Sequence, residues 1–266
     1  METNKEEKKG GIVLPTAPRK ATHINARDMV IYGKPKVGKT TALSQLKNAL
    51  IVDLEQGAAF LDAMVVEVPQ DKGPVGKWLW LKELAKAIVD EGKPYDYVCI
   101  DTLTKLDEWS EWYGTYIYQN SIAGKKFNRD STGGLLKPND PEYQSVHTLA
   151  NGAGYRFSRE AMLDMYETLR YLGKICTIFI CHVADKMVGE KNGELIMTKD
   201  LALTGKLKDI LARAPDVLAH VWNDDGKLMI SFAGNSEKIG GMRAPHLKGF
   251  VGELDWEKIF IKEESK

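Results

Sequence analysis

Residues 33 to 40 read GKPKVGKT and fit the spacing GxxxxGK(S/T) without a gap. Each residue type there answers a requirement of holding a polyphosphate. Gly33 and Gly38 let the chain wrap so that its N–H groups point inward at phosphate oxygens. Between them, Lys34, Pro35, Lys36 and Val37 form the body of the loop. Lys39 can neutralise charge on terminal phosphates, and the Thr40 hydroxyl can ligate Mg²⁺. Thr41 continues into a helical pattern whose first N–H groups face the same anion. A metal held this way needs an acid nearby. YDYVCIDT supplies one, an apolar run that ends in Asp101 with Thr102 beside it. Asp101 is therefore the expected Mg²⁺ residue, the alternative being a simple helix cap. A further carboxylate could orient water for attack on a phosphate. VDLEQG offers two, Asp53 and Glu55, and pattern alone leaves both open.

These residues require strands that end together. Asp28–Tyr32, Ala49–Asp53, Tyr97–Asp101 and Lys174–Cys181 are apolar enough to be strands buried on both faces. Between them lie helical patterns, from about Thr40 to Asn48, Val75 to Glu91 and Arg159 to Tyr171. The second shows Trp78, Leu81, Leu84, Ala85 and Ile88 on one face. Buried strands alternating with helices imply an α/β fold with a mostly parallel sheet flanked by helices. Beyond Val188, shorter runs around Leu195–Thr198, Val217–Trp222 and Leu228–Phe232 suggest an antiparallel extension on the C-terminal side. Ligands of such sheets bind at the C-terminal ends of the strands, where Glu55 and the loop both fall. Tyr113 to Ser158 has little periodicity and is expected to be functional or disordered, the first candidate for a partner surface.

Together these segments resemble the RecA-like ATPases: a phosphate loop, VDLEQGA, YDYVCIDT and then TIFICHV. They resemble more closely the small phage ATPases of that group, which act in ATP-dependent single-strand annealing and recombination. The resemblance covers roughly residues 25 to 260. It implies a RecA-like core, ATP and Mg²⁺ as cofactors, ATP hydrolysis, and assembly into a ring or filament. It implies Glu55 rather than Asp53 as the group that activates water, and His182 as the sensor of the γ-phosphate. Lys238 and Arg243, in EKIGGMRA, resemble the late basic pair that reaches a neighbouring subunit's ATP. Single-stranded DNA is the implied partner, through GKKFNR at 124–129 and through Lys186, Lys191, Lys199 and Lys206. Phe127 and Tyr118 would supply stacking surfaces beside those charges.

The whole chain bounds these expectations. It has 266 residues, enough for one sizeable core. Lys+Arg and Asp+Glu are 37 each, which excludes a molecule-wide basic field that would attract nucleic acid. Residues 1–24 are expected to be a flexible arm carrying the apolar patch Ile12-Val13-Leu14, residues 25–261 the ATPase domain, and 262–266 a charged tail. The three cysteines lack metal-ligand spacing and are odd in number, which suits a reducing cytoplasm. No apolar run approaches the roughly 18–20 residues of a membrane span, so no membrane partner is expected. Cytoplasm, that of the host for a phage protein, is the expected location.

Overall fold

The computed structural model describes residues 14–191 and 194–262, with side chains described except at 188–196. Ile12, Val13, Glu263–Lys266 and the Lys191 side chain thus lie outside the described residues. Leu14 is exposed.

The chain forms β1 (Asp28–Gly33), α1 (Lys39–Leu43), β2 (Ala49–Asp53), β3 (Met64–Glu67), α2 (Pro74–Asp90), β4 (Tyr97–Asp101) and α3 (Leu103–Gln119). Then come α4 (Gly154–Leu169), β5 (Cys176–Lys191), β6 (Glu194–Leu201), α5 (Leu207–Leu211), β7 (Val217–Asp224) and β8 (Lys227–Ser231). β9 (Gly241–Met242), β10 (Val251–Glu253) and α6 (Trp256–Ile259) complete it. The ten strands form a sheet ordered β10-β8-β7-β1-β5-β4-β2-β3, with β6 on β5 and β9 on β7. The expected α/β core with a mostly parallel sheet is present, and its antiparallel extension consists of β6, β8, β9 and β10.

Alternation along the buried strands divides the core between two faces. Val30 and Tyr32 point to a layer made by α2, α3 and α4, where Trp78, Leu81, Leu106, Met162 and Tyr166 are buried. Met29 and Ile31 point to the other, with Leu43, Phe232, Ile259 and Phe260. The strand register then brings the chemistry to one edge. Gly33 lies opposite His182, and Asp53 opposite Asp101. β1, β2 and β4 thus end at the same rim, and β5 carries His182 to it before running on to Lys191.

Three expectations change. The Val217–Trp222 segment is not antiparallel to the core; β7 runs parallel to β1 and antiparallel to β8 and β9. The helix expected from Thr40 to Asn48 stops at Leu43 and unwinds through turns to Asn48, whose φ is 53°. The irregular segment is shorter than 113–158. Leu103–Gln119 is helical, and α4 starts at Gly154, where a Cβ would stand 1.7 Å from the Val146 carbonyl.

Candidate nucleotide site

The phosphate loop leaves β1 at Gly33 because nothing larger fits. A Cβ there would lie 2.4 Å from the Val221 carbonyl oxygen on β7. At Gly38 the constraint is conformational, since φ is 104°, in the left-handed region that favours glycine. Lys36 adopts φ 61° between them. This curvature turns the loop back over the end of β1. Helix α1 has only five residues, so the loop's own N–H groups and Lys39 are the donors available to an anion. Lys34, Pro35 and Lys36 are exposed, Val37 is half-buried, and Thr41 is exposed.

Lys39 is buried, and its ammonium donates to the carbonyls of Gly33 at 3.1 Å and Lys34 at 2.7 Å. Burial lowers its pKa, while Asp101, Cys181 and Glu55 oppose that shift. An arriving phosphate offers the ammonium a full negative charge in place of two neutral carbonyls. The Thr40 hydroxyl donates to Asp101 Oδ2 at 2.6 Å. Burial pushes the Asp101 carboxyl up to about 6; the Thr40 bond opposes this, Glu55 and Asp53 add to it, and Lys39 opposes it. These two hard oxygen donors fit Mg²⁺, which takes one or two protein oxygens and completes its shell with water and phosphate. Among the described residues no cluster of three His, Cys, Asp or Glu could hold a metal by itself.

The two carboxylates after β2 have different surroundings. Asp53 is buried, and its oxygens accept the N–H groups of Glu55, Gly57 and Ala58 at 3.0, 3.2 and 2.8 Å. It shapes the loop. Glu55 has a side chain 33% exposed, with Oε1 accepting the Thr102 hydroxyl at 2.7 Å and Oε2 3.7 Å from His182 Nε2. His182 is held by its backbone N–H, which donates to Thr104 Oγ1 at 3.0 Å. Its ring is a half-open group at the rim rather than a sealed core histidine. Lys39, Thr40, Asp101, Glu55 and His182 therefore lie together. Thr104 was not singled out from the sequence. The T-x-T spacing at the end of β4, with both hydroxyls at the start of a helix, was the available signal.

Arg243 does not join them. Its backbone N–H donates to the Asp216 carbonyl at 2.8 Å and its guanidinium to Asp216 Oδ1 at 3.1 Å. Asp216 precedes β7, beside Arg27 and the start of β1, so Arg243 lies at the edge opposite the phosphate loop. β9 fixes it there by pairing Met242 with Val217. Lys238 is the member of that basic pair on the loop's edge. Its ammonium stands 4.6 Å over the Trp222 ring, and the next residue's carbonyl accepts the Tyr32 hydroxyl at 2.6 Å. Burial, with Lys238 and Lys199 nearby, pushes His220 down to about 4.

The proposed DNA-contact loops are partly spent on the fold. Lys125 and Lys126 are exposed. Phe127, however, packs edge-on to Tyr118 at 5.1 Å, and Tyr118 packs on Phe157, so these rings hold the segment together instead of lying free. Arg129 donates to the carbonyls of Lys125 and Gly133. In the β5–β6 hairpin, Lys186 faces Asp200 at 3.6 Å and Asp209 at 4.0 Å, while Lys199 pairs with Asp185. Lys206 is exposed. No described helix is long and apolar enough to cross a membrane.

No curated protein matches the chain. Among solved structures it is similar to a prototypical ATPase of the type III secretion system of pathogenic bacteria, at 11% identity and a TM-score of 0.40. That match covers 73% of this chain and 51% of the other, so the chain spans about half the length of that structure. Residues 25–243 match the AAA domain family. This span is most of the chain and holds the phosphate loop, Glu55, Asp101 and His182, and the chain belongs to the AAA domain family.

Proposed function

We propose that the protein binds and hydrolyses ATP with Mg²⁺. The observation that carries this reading is the Thr40–Asp101 contact beside Lys39, with Glu55 on the same rim. The loop's N–H groups and Lys39 would bind the β- and γ-phosphates, and Thr40 and Asp101 would hold the metal. Mg²⁺, when bound, would neutralise charge on the phosphate oxygens. Glu55 takes a proton from the attacking water, and His182 faces the terminal phosphate. Lys39 stabilises the charge that gathers on the transferred phosphoryl group.

Single-stranded DNA is our proposed partner, met first by the exposed Lys125 and Lys126, in recombination or annealing of the kind the resemblance implies. Self-association into a ring or filament would place Lys238 at a neighbour's site. A second reading is a nucleotide-gated switch that binds protein. Phe60 favours it: five residues after Glu55, it is 99% exposed. The test is ATP turnover of the wild type and of Lys39→Ala, with and without single-stranded DNA, at two salt concentrations. The proposal expects turnover that DNA stimulates more strongly at low salt, and none above background in Lys39→Ala, whose melting curve is unchanged. Turnover equal in the two proteins would remove the phosphate-loop assignment. Turnover indifferent to DNA at both salts would favour the protein-binding switch.

A further inference from the structure

We propose that Thr102 is a positioning residue, whose hydroxyl holds the Glu55 carboxylate ready to receive a proton from water. This rests on the reading of Glu55 as the base.

Thr102 links β4 to α3 and is buried. Its Oγ1 has two partners of fixed character. The backbone N–H of Lys105, 3.1 Å away, can only donate, and so occupies an oxygen lone pair. The Glu55 carboxylate, 2.7 Å away, accepts, and so receives the hydroxyl proton. The two neighbours therefore determine the direction of that O–H bond. A threonine side chain is also stiff, with two heavy atoms on Cβ limiting its rotamers.

Glu55 needs this constraint. It extends from a loop, its side chain is one-third exposed, and a glutamate has three torsions to immobilise. The Thr102 bond fixes Oε1 and leaves Oε2 on the side of His182, 3.7 Å from Nε2. One oxygen is thus anchored and the other is open to a water. Displacements of about 1 Å in such a group can cost on the order of 10²-fold in rate.

Thr102 also caps α3, so a loss of activity alone would not separate positioning from folding. The experiment is a cycle in the full chain, in which Thr102→Val, Thr102→Ser, Glu55→Gln and Thr102→Val with Glu55→Gln are compared for kcat, KM for ATP and melting temperature. Thr102→Val should lower kcat roughly 10–100-fold and leave KM nearly unchanged. Thr102→Ser, which keeps the donor, should recover most of the rate. In the Glu55→Gln background, Thr102→Val should cost nothing further, because the group it positions has already lost its function. Should Thr102→Val not fold, Thr102→Gly, tolerated at a helix cap and without a side-chain donor, enters the same cycle with the same expectation. A loss of equal size in both backgrounds overturns the proposal, since the hydroxyl would then act through the fold. Wild-type kcat in Thr102→Val beside a slow Glu55→Gln overturns it while leaving the base assignment standing. Wild-type kcat in Glu55→Gln removes both.

Discussion

Asp101 shows how a residue proposed to bind metal can oppose folding. Its carboxyl is raised to about 6 by burial, against an ordinary value near 3.8. A carboxyl raised in the folded state costs stability when it ionises. That cost is absent below about pH 4, grows as pH rises toward 6, and is fully present above it. Two pKa units correspond to about 3 kcal/mol. Asp101→Asn should therefore be more stable than the wild type in metal-free buffer at pH 7 to 8, and the advantage should vanish below pH 4. Urea melts across that range check it; an advantage independent of pH would place the cause elsewhere. Adding Mg²⁺ and ATP should stabilise the wild type and not the variant. At this scale the sequence was most legible where type and spacing fix placement, as in GxxxxGKT, whose Lys39 and Thr40 lie beside Asp101. It was least legible at Asp53 and Glu55. Spacing cannot show that Asp53 uses its oxygens on three backbone N–H groups while Glu55 stays open.

At the scale of elements, the strand–loop–helix unit depends on two glycines for different reasons, and stability can separate them. Gly33→Ala forces a Cβ to 2.4 Å from the Val221 carbonyl and 2.8 Å from its Cγ2, where β1 and β7 meet. Overpacking of that kind costs about 1–3 kcal/mol or more. Gly38→Ala meets no atom within 4 Å and is strained only by its φ of 104°, a cost of order 1–2 kcal/mol. Thermal melts should rank Gly33→Ala below Gly38→Ala, and both should bind ATP more weakly than the wild type. The reverse ranking would mean that β1 and β7 separate more easily than their register suggests. The helix α2 was readable almost to the residue because Trp78, Leu81, Ala85 and Ile88 repeat on one face and all are buried. β3 was not, since its apolar run is short and its four residues are half-buried or exposed rather than core. The direction of β7 was hidden as well. A strand buried against β1 on one side and β8 on the other carries no local mark of which pairing is parallel.

Over the whole molecule, the two rims of the sheet serve different purposes. The rim with Gly33, Glu55, Asp101 and His182 holds the site. The opposite rim holds an ion network in which Asp216 faces Arg27 and Arg243, and Asp28 faces Arg170 and Tyr166. Nothing in EKIGGMRA distinguishes its two cations by rim, because that depends on β9 pairing with β7 over more than 20 residues of chain. The consequence is measurable. Arg243 is 62% exposed in its pair, so Arg243→Ala should change stability by about 1 kcal/mol or less and turnover by no more than about twofold. Lys238→Ala should lower turnover, most visibly where the rate rises more steeply than linearly with protein concentration. A collapse of turnover in Arg243→Ala, with Lys238→Ala unaffected, would mean that assembly brings the far rim to a neighbour's nucleotide.

The most direct test of the central claim compares Glu55→Gln with Asp53→Asn, measuring ATP binding and ATP hydrolysis on the same samples. If Glu55 is the base, Glu55→Gln binds ATP with Mg²⁺ as the wild type does and hydrolyses it about 10²–10⁴-fold more slowly. Asp53→Asn should instead lose stability, because its buried oxygens organise the loop, while keeping turnover in the fraction that remains folded. A folded Asp53→Asn without turnover, beside a Glu55→Gln that hydrolyses ATP at the wild-type rate, would contradict the account.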